Sequence, residues 1–283
     1  MPEGDTVART ADRLHRALSG VPLDRVDLRW GTLDGSPLVG ARTLEVVSRG
    51  KHLLHRVEGG WTIHSHLKME GQWRVERPSS PSGRRYERHP HVRALLDARG
   101  WRCVGLRLGQ LDLVRTDEGE LVEHLGPDIL DPTVDLGAVA AAVTTDPRGL
   151  AETLLDQRVV AGIGTFWASE LLFIKALPPW LPSAEVPVDS VRTLLERGAR
   201  LMARAAQTGW QSSTGETRRD RTQYVHARSG RPCLRCGDTV RVALSGPPGR
   251  ERTIFYCPRC QGGLAPTDDG RPQRPLGASG GHR

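Results

Sequence analysis

Two Cys-x-x-Cys pairs near the C-terminus constrain this 283-residue chain more than any other feature. Cys233 and Cys236 form the first pair, Cys257 and Cys260 form the second, and twenty residues separate the two pairs. At this spacing two knuckles, each presenting two thiolates, close a tetrahedral zinc site. The intervening segments TVRVALSG and RTIFY are strand-like and enclose a Gly-Pro-Pro-Gly turn. We therefore predict one structural Zn²⁺ that staples a β-hairpin too small to fold alone.

A site of four thiolates keeps no coordination position open to water, so the sequence predicts that any catalytic chemistry lies elsewhere. The fifth cysteine, Cys103, falls in the strand-like run Trp101–Leu108. A small buried thiol is the expected role for a single cysteine in such a run. Several histidines between His52 and His91 are predicted to be hydrogen-bonded or substrate-facing rather than ligands of a second metal.

The charge balance predicts a polyanionic partner. Lys plus Arg number 40 and Asp plus Glu number 33, which gives a net charge of +7, and such a surface attracts nucleic acid or anionic membrane. The longest apolar stretches, residues 159–163 and 166–176, are shorter than the ~20 residues of a membrane span. The start MPEGDTVARTADR lacks the apolar core of a secretory signal. We predict no membrane association and a cytoplasmic location.

The pattern of apolar residues divides the chain into a β-rich half and a helical half. Helical spacing over Thr6–Leu18 predicts a short first helix, and short alternating runs from Val26 to Thr116 predict an antiparallel sandwich. The Pro-rich basic stretch Glu76–Pro90 is predicted to be a surface loop. Helical spacing resumes at Leu136, and a later helix is predicted to be capped by Asp189 and to end at Gly209.

The predicted fold class is therefore α+β with several domains. We expect an N-terminal antiparallel β-sandwich domain with flanking helices, a linker, a helical domain, a four-cysteine zinc hairpin and a disordered tail. The corresponding residues are 1–118, 119–134, 135–230, 231–263 and 264–283.

Several motifs, taken in order, resemble one known family. The chain reads MPEGD at its start, SRGKHLL around Lys51, HLKMEG around Met69, LGPD at 125–128, LLDQRVVAGIGT at 154–165 and ERTIFYCPRCQ at 251–261. Together they resemble the formamidopyrimidine-DNA glycosylase and endonuclease VIII family of base-excision repair enzymes. The resemblance implies a helix-two-turn-helix motif in the helical domain and a zinc finger after it. The start PEGDTV together with GIGT is most similar to the divergent endonuclease VIII proteins of high-GC actinobacteria.

The resemblance implies four catalytic residues. Removal of Met1 would leave Pro2 with a free secondary amine, and a terminal amine with a pKa of ~8 is partly neutral near pH 7 and can act as a nucleophile. In the family this amine attacks the damaged nucleoside and forms an iminium with the sugar, which then undergoes β,δ-elimination. Glu3 is implied as the neighbouring acid-base residue, Lys51 as a proton donor, and Arg252 as the arginine of the finger at the lesion.

Four further residues are implied to bind DNA. Met69 is an apolar wedge for the stack that a flipped base vacates, and Lys68 and His124 match DNA-contacting positions of endonuclease VIII proteins. Thr165 follows a Gly-Ile-Gly turn that can hold a phosphate, with its hydroxyl as the helix N-cap. His124 stands where arginine is usual and Thr165 where asparagine is usual. Thr6 replaces a usual glutamate.

The substrate is predicted from what the sequence lacks. The loop WQSSTGETRRDRTQ is shorter than the base-capping loop of oxidised-purine glycosylases, and no Arg-Phe-Gly wedge occurs near residues 101–106. Both absences favour the endonuclease VIII side of the family, whose members act mainly on oxidised pyrimidines. The resemblance further implies damaged DNA as the partner, duplex or single-stranded, a monomeric protein, and a location at the bacterial nucleoid. An oxidised-purine glycosylase and an abasic-site lyase with little glycosylase activity are the alternatives. A non-catalytic zinc-finger DNA-binding protein is the alternative from another class.

Overall fold

The computed structural model describes residues 2–116, 120–218 and 220–273. The chain divides into two compact units, Met1–His124 and Leu125–Arg283. The N-terminal unit contains, in chain order, α1 (Gly4–Leu18), β1 (Arg25–Leu28), β2 (Thr43–Arg49), β3 (His52–Val57), β4 (Trp61–His66), β5 (Gln72–Glu76), α2 (Pro81–Arg85), β6 (Val92–Ala98), β7 (Trp101–Leu106), β8 (Gln110–Arg115) and α3 (Glu120–Glu123).

The strands of this unit form the predicted antiparallel sandwich. One four-stranded sheet has the order β2-β3-β4-β8 and the other has the order β1-β6-β7-β5. Alternate residues of the strands point inward, and they share one core with the apolar face of α1, including Val7, Leu14 and Leu18. The core therefore fixes α1, and with it the first residues of the chain, against the sandwich.

Cys103 lies on β7 and is fully buried in this core. Burial raises the pKa of its thiol to about 12. Because the thiolate is the reactive form, this cysteine is chemically inert at neutral pH, as predicted.

The basic stretch 76–90 is more ordered than a surface loop. It contains α2 and a 3-10 turn over Tyr86–Arg88. The Tyr86 ring is buried on Leu95 and Val104, and Glu87 accepts hydrogen bonds from Arg25 at 2.9 Å and from Arg102. The loop prediction is wrong here because the acceptors and apolar partners of this stretch come from strands distant in the sequence.

The C-terminal unit is built around helices and one hairpin. It contains α4 (Leu136–Val143), α5 (Leu150–Leu155), α6 (Thr165–Ile174), α7 (Val188–Thr208), β9 (Arg241–Ser245) and β10 (Arg252–Tyr256). All residues of α6 from Thr165 to Phe173 are buried, which is typical of a helix at the centre of a core. The predicted end of α7 at Gly209 is confirmed by its left-handed backbone, φ +79°. Asp189 is not the N-cap, because Pro187 holds that position and the Asp189 carboxylate instead binds Arg192 at 3.1 Å.

A buried carboxylate on α6 holds the segment that leads from α7 toward the hairpin. Glu170 accepts backbone hydrogen bonds from Tyr224, Val225 and His226 at 2.7–2.8 Å, and a further one from the Ser213 hydroxyl. A carboxylate that is fully withdrawn from water requires several donors of this kind. Glu170 therefore fixes the backbone of residues 224–226 against α6.

The tail is ordered over its first ten residues. The Asp268 side chain is 1 % exposed and accepts hydrogen bonds from the Arg241 guanidinium and the Tyr256 hydroxyl. The Gln273 side chain bonds the backbone of Val242 at 2.8 and 2.9 Å. The prediction of disorder is wrong for residues 264–273, because a polar segment can be ordered by ion pairs as well as by apolar burial. Its remaining part, residues 274–283, lies outside the described residues. None of the described helices has the length and apolar character that crossing a bilayer requires.

A buried histidine in the sandwich makes the stability of the N-terminal unit depend on pH. His55 is 4 % exposed and bonds the Thr43 hydroxyl at 2.8 Å, and burial lowers its pKa to about 4. The unfolded chain binds a proton near pH 6.5, so His55 contributes stability above that pH and loses it as the pH falls toward 4. At pH 5 the loss is at most about 2 kcal/mol, since each pKa unit is worth about 1.4 kcal/mol.

Urea unfolding of the wild type and of His55→Gln at pH 7.5 and pH 5.0 measures this contribution. Glutamine keeps a hydrogen-bonding side chain and does not titrate, so the variant should lose up to about 2 kcal/mol less on acidification than the wild type does. The other histidines are common to both proteins and cancel in the comparison. An equal pH dependence in the two proteins would show that His55 is not the titrating group.

Candidate active site and nucleic-acid interface

The predicted nucleophile and its acid-base partner lie at the start of α1. Pro2 is half-buried and Glu3 is 1 % exposed. Glu3 is the N-cap residue, with extended backbone, and its carbonyl accepts the Val7 N–H at 3.0 Å. Asp5 follows in the first helical turn and is also buried. Two buried carboxylates thus stand at the positive end of the α1 dipole, which favours negative charge and disfavours a protonated amine.

Lys51 occupies the tight turn between β2 and β3. Arg49 pairs with His52 across the hairpin, so Gly50 and Lys51 form a two-residue connection, and Gly50 has φ +57°. Turns of this length need a left-handed residue, which glycine supplies without strain. The half-buried Lys51 is thereby held at one edge of the β2-β3-β4-β8 sheet.

A chain of hydrogen bonds runs behind this turn. His52 Nδ1 lies 2.8 Å from His64 Nε2, and His64 Nδ1 lies 2.8 Å from the Asp112 carboxylate. His64 is buried, so the carboxylate fixes its proton on Nδ1 and leaves Nε2 as an acceptor. His52 must then donate from Nδ1, which leaves a lone pair on His52 Nε2. The arrangement places a neutral proton acceptor next to Lys51.

His66, whose ring lies beside that of His52, offers a hydrogen-bond donor instead of an acceptor. Its Nδ1 accepts the Lys68 backbone N–H at 2.9 Å, which leaves the proton on Nε2 as a donor. Burial lowers the pKa of His66 to about 4, and the charges of Lys68 and Lys51 act in the same direction. Burial, followed by the neighbouring His66, lowers the pKa of His52 to about 3. Both rings are neutral at pH 7, so the two lysines carry the positive charge here.

The proposed DNA-contact residues Lys68 and Met69 lie in an exposed turn after β4. Met69 is 66 % exposed, unusually high for a long apolar side chain. Lys68 has φ +53°, and its aliphatic stem packs so closely on Gly109 that a Cβ there would lie 2.1 Å from Lys68 Cγ. His124 is exposed, and its ring meets the His52 ring edge-on at 5.9 Å between centroids. The structure thus gathers Lys51, Lys68 and His124 around His52 and His66.

In the C-terminal unit Thr165 begins α6 but does not cap it. Gly164 is the N-cap, and Thr165 is buried, 8 % exposed. The preceding turn is held by Gln157, whose amide accepts the Gly162 N–H at 3.1 Å and donates to the Ile163 carbonyl at 2.9 Å. The prediction that the Thr165 hydroxyl caps α6 is therefore wrong. The Gly162 N–H of the turn is already bonded within the protein.

Arg252 stands at the first position of β10 and is exposed. Its guanidinium makes no hydrogen bond or ion pair with a residue in the described ranges. It extends from the hairpin in which Arg252 pairs with Ser245 and Tyr256 pairs with Arg241. Arg252, the cation that the family resemblance assigns to the lesion, thus lies at the loop end of the hairpin.

The four cysteines of the C-terminal pairs converge on one point. Their sulfur atoms all lie within 4.8 Å of one another, with Cys236–Cys257 at 3.5 Å and Cys233–Cys260 at 4.0 Å. These distances are far longer than a disulfide bond. Ligands at about 2.3 Å from a tetrahedral zinc ion lie about 3.8 Å apart. The donor set therefore fits a four-thiolate metal site.

An arginine inside the first knuckle docks this cluster on the helical core. Arg235 donates to the carbonyls of Phe173 and Ile174 at 3.0 and 3.3 Å, at the C-terminal end of α6. Its guanidinium also lies over the Phe173 ring at 4.2 Å. A cation at the negative end of a helix satisfies carbonyls that have no partner within the helix. The cluster is thus tied to α6 as well as to the hairpin.

Sequence reasoning missed Asp112 and the roles of His52 and His64. Asp112 lies on β8, directly opposite His64 of the neighbouring strand β4. The sequence did indicate that His64 and His66, at alternate positions of one strand, share one face of the sheet. The carboxylate partner of His64 could not be identified without knowing that β4 pairs with β8.

Two family models match the chain. The model described as the formamidopyrimidine-DNA glycosylase N-terminal domain matches residues 1–111, and that of the formamidopyrimidine-DNA glycosylase H2TH domain matches residues 125–217. The probable endonuclease 8 2 of Streptomyces coelicolor is 45 % identical over 278 residues, which cover 96 % of this chain and 98 % of that protein. The DNA-(apurinic or apyrimidinic site) lyase Nei2 of Mycolicibacterium smegmatis is 40 % identical over 268 residues, 92 % of this chain and 99 % of that protein.

Solved structures share the fold. The MutM (Fpg) protein of Thermus thermophilus superposes with a TM-score of 0.77 at 30 % identity, over 93 % of this chain and all of that chain. The Lactococcus lactis formamidopyrimidine-DNA glycosylase, solved with DNA containing an abasic site, superposes with a TM-score of 0.77 at 20 % identity, over 92 % of this chain and all of that one.

Proposed function

The chain belongs to the formamidopyrimidine-DNA glycosylase and endonuclease VIII family, and from that premise we propose that it removes oxidised pyrimidines from DNA and cleaves the resulting abasic site. Its class of activity is that of a DNA glycosylase and abasic-site lyase. The observation that carries the covalent chemistry of this proposal is the pair Pro2–Glu3 at the start of α1, with Glu3 buried. The preference for pyrimidines rests on the short loop before Tyr224 and on the missing Arg-Phe-Gly wedge.

We propose that the Pro2 nitrogen, freed by removal of Met1, attacks C1′ of the damaged nucleoside. A bond forms between nitrogen and C1′ while the bond from C1′ to the base breaks. The C1′–O4′ bond then breaks, O4′ takes up a proton, and the opened sugar is held as an iminium. Glu3 transfers protons at this centre, and Lys51 donates a proton during the following elimination. Loss of the 3′ and then the 5′ phosphate cleaves the strand.

The remaining residues are assigned to DNA binding and to the fold. Lys68 and His124 contact the DNA backbone, Met69 fills the space of the flipped base, and Arg252 acts at the lesion. Thr165 contributes to a phosphate contact at the start of α6. We propose that Cys233, Cys236, Cys257 and Cys260 bind one Zn²⁺, which supplies structure and no reacting position. The protein would act as a monomer on damaged DNA in the bacterial cytoplasm, at the nucleoid.

Borohydride trapping and strand cleavage on a panel of oligonucleotides test this proposal. The panel carries an abasic site, an oxidised pyrimidine or an oxidised purine, each in duplex and single-stranded form. We expect covalent trapping on abasic and oxidised-pyrimidine DNA, with less on oxidised purines. Trapping on abasic DNA alone would make the protein chiefly a lyase, and a preference for oxidised purines would reverse the substrate assignment. DNA binding without any trapping would favour the non-catalytic alternative.

A further inference from the structure

β9 is the outer strand of the hairpin between the cysteine pairs, and it is held to the helical core less directly than β10. On β10, Ile254 belongs to the core around α6, and the Phe255 N–H donates to the Ser169 hydroxyl at 3.1 Å. Among the described strands β9 pairs only with β10, so its other edge has no strand beside it. An isolated two-stranded ribbon is only marginally stable in water. The position of β9 therefore depends on the groups that cover its outer edge.

Two side chains cover the outer edge of β9. The Gln273 amide accepts the Val242 N–H at 2.8 Å and donates to the Val242 carbonyl at 2.9 Å. The Trp180 indole N–H donates to the Leu244 carbonyl at 3.2 Å. The backbone groups of an edge strand need partners, and a neighbouring strand would normally supply the pair of hydrogen bonds that Val242 makes. Gln273 therefore takes the place of one residue of a third strand.

A carboxylate of the tail joins the two strands to each other. Arg241 and Tyr256 are cross-strand partners at the cysteine end of the hairpin. Asp268 accepts hydrogen bonds from two nitrogens of the Arg241 guanidinium and, at 2.5 Å, from the Tyr256 hydroxyl. The hydrogen bonds from Arg241 lower the pKa of Asp268 to about 2, so the carboxylate is ionised throughout the neutral range. Because bidentate pairs of this kind are strong and directional, Asp268 fixes β9, β10 and the tail together.

The loop end of the hairpin, which carries Arg252, depends on β9. Arg252 and Thr253 are the two exposed residues of β10, and they precede the anchored residue Ile254. Their strand partners are Ser245 and Leu244 of β9. The Arg252 side chain forms no hydrogen bond or ion pair with residues 2–116, 120–218 or 220–273, so the backbone of the hairpin sets its position. A displacement of β9 would therefore displace Arg252.

We propose that residues 264–273 are a clasp that positions Arg252, because they hold β9 beside the anchored strand β10. Asp268 and Gln273 are positioning residues in this scheme, since they act through the hairpin and not on the substrate. The clasp follows from the contacts of the tail, whereas the use of Arg252 at the lesion rests on the proposed function. A displacement of about 1 Å near a reacting centre can lower a rate by about 10²-fold, so a modest loosening of β9 is enough to slow the reaction.

Asp268→Ala tests the clasp, and Asp269→Ala is its matched control. Asp269 is the next residue and is exposed, and its carboxylate accepts the Arg271 N–H at 3.0 Å within the tail. The measurements are kcat/KM for cleavage of a duplex with an abasic site by the full-length, zinc-loaded protein, and its zinc content. Asp268→Ala should lower kcat/KM by about tenfold, as for a slightly misplaced group. It should keep one zinc ion per chain, because the four cysteines are unchanged. Asp269→Ala should change neither quantity.

Combination with Arg252→Gln shows whether Asp268 acts through Arg252. If it does, Asp268→Ala lowers kcat/KM in the wild type but produces little further loss in Arg252→Gln, since two changes on one path are not additive. A purely structural loss would lower kcat/KM by the same factor in both backgrounds. That result, or an Asp268→Ala protein that loses its zinc, would overturn the positioning role.

Hydrogen exchange of the Val242 amide reports on the clasp without reference to DNA. Exchange should be faster in Asp268→Ala and in the milder variant Gln273→Ala than in the wild type and in Asp269→Ala, because the amide loses its hydrogen-bond partner. Equal exchange in all four proteins would overturn the clasp. A wild type that cleaves no abasic DNA would instead overturn the proposed function, and faster exchange at Val242 in the two clasp variants would still establish the clasp.

Discussion

Pro2→Gly is expected to reduce the rate of borohydride trapping on abasic DNA by a factor on the order of 10³ or more, as for the loss of an enzymatic nucleophile. A secondary amine gives an iminium that carries its positive charge without further protonation. Glycine gives a primary amine, whose imine is neutral until it gains a proton. The substitution also removes the fixed backbone angle of proline before α1. Binding to a duplex with a stable abasic analogue should stay unchanged, because no DNA contact is assigned to the Pro2 ring.

The position of the adduct gives an independent check. The chain contains only three lysines, Lys51, Lys68 and Lys175, so few other amines compete with the N-terminus. Mass spectrometry of the digested, reduced complex should place the sugar remnant on residue 2. Lys175→Arg is a suitable control, since it removes an amine with no assigned role and should trap at the wild-type rate. An adduct on Lys51 or Lys68, or undiminished trapping by Pro2→Gly, would remove Pro2 from the mechanism.

The features that the sequence predicted correctly depend on local spacing. Alternation in strands, the 3.6-residue period of α7 and its end at Gly209 are all set within a few residues. The two Cys-x-x-Cys pairs can also be recognised from the local sequence, because each knuckle is a short motif and the hairpin between them is short. Residues that take part in such patterns could be assigned without knowing the fold.

The features that the sequence missed depend on contacts between distant segments. The proton acceptor on His52 exists only because β3, β4 and β8 bring His64 and Asp112 into line. Likewise Asp268 orders the start of the tail only because Arg241 lies beside it. In both cases a polar side chain has a partner that no local pattern identifies, and a polar stretch is therefore mistaken for a free loop or tail.

Loss of one zinc ligand should have the largest effect on the fold of the C-terminal unit. Cys257→Ser, or treatment with a chelator, is expected to unfold the hairpin and the knuckles, because four-ligand zinc sites of this kind contribute about 10–16 kcal/mol to folding. Limited proteolysis should then cut within residues 231–263, and zinc content should fall from one ion per chain toward none. DNA affinity should fall with it, because Arg252 would no longer be held on β10.

Cys103→Ala is the matched control for this substitution. It changes the same residue type at a buried position of the sandwich, where no metal ligand is predicted. It should therefore keep one zinc ion and wild-type DNA affinity, although the lost sulfur leaves a small cavity in the core. The α6 core should survive in both variants, because Trp167, Leu171 and Leu172 belong to a helical core that contains no cysteine, although Phe173 packs beside Cys233 and Cys257. A metal-free Cys257→Ser protein that binds DNA as tightly as the wild type would show that the finger contributes nothing to recognition, and Arg252 would lose its assigned role.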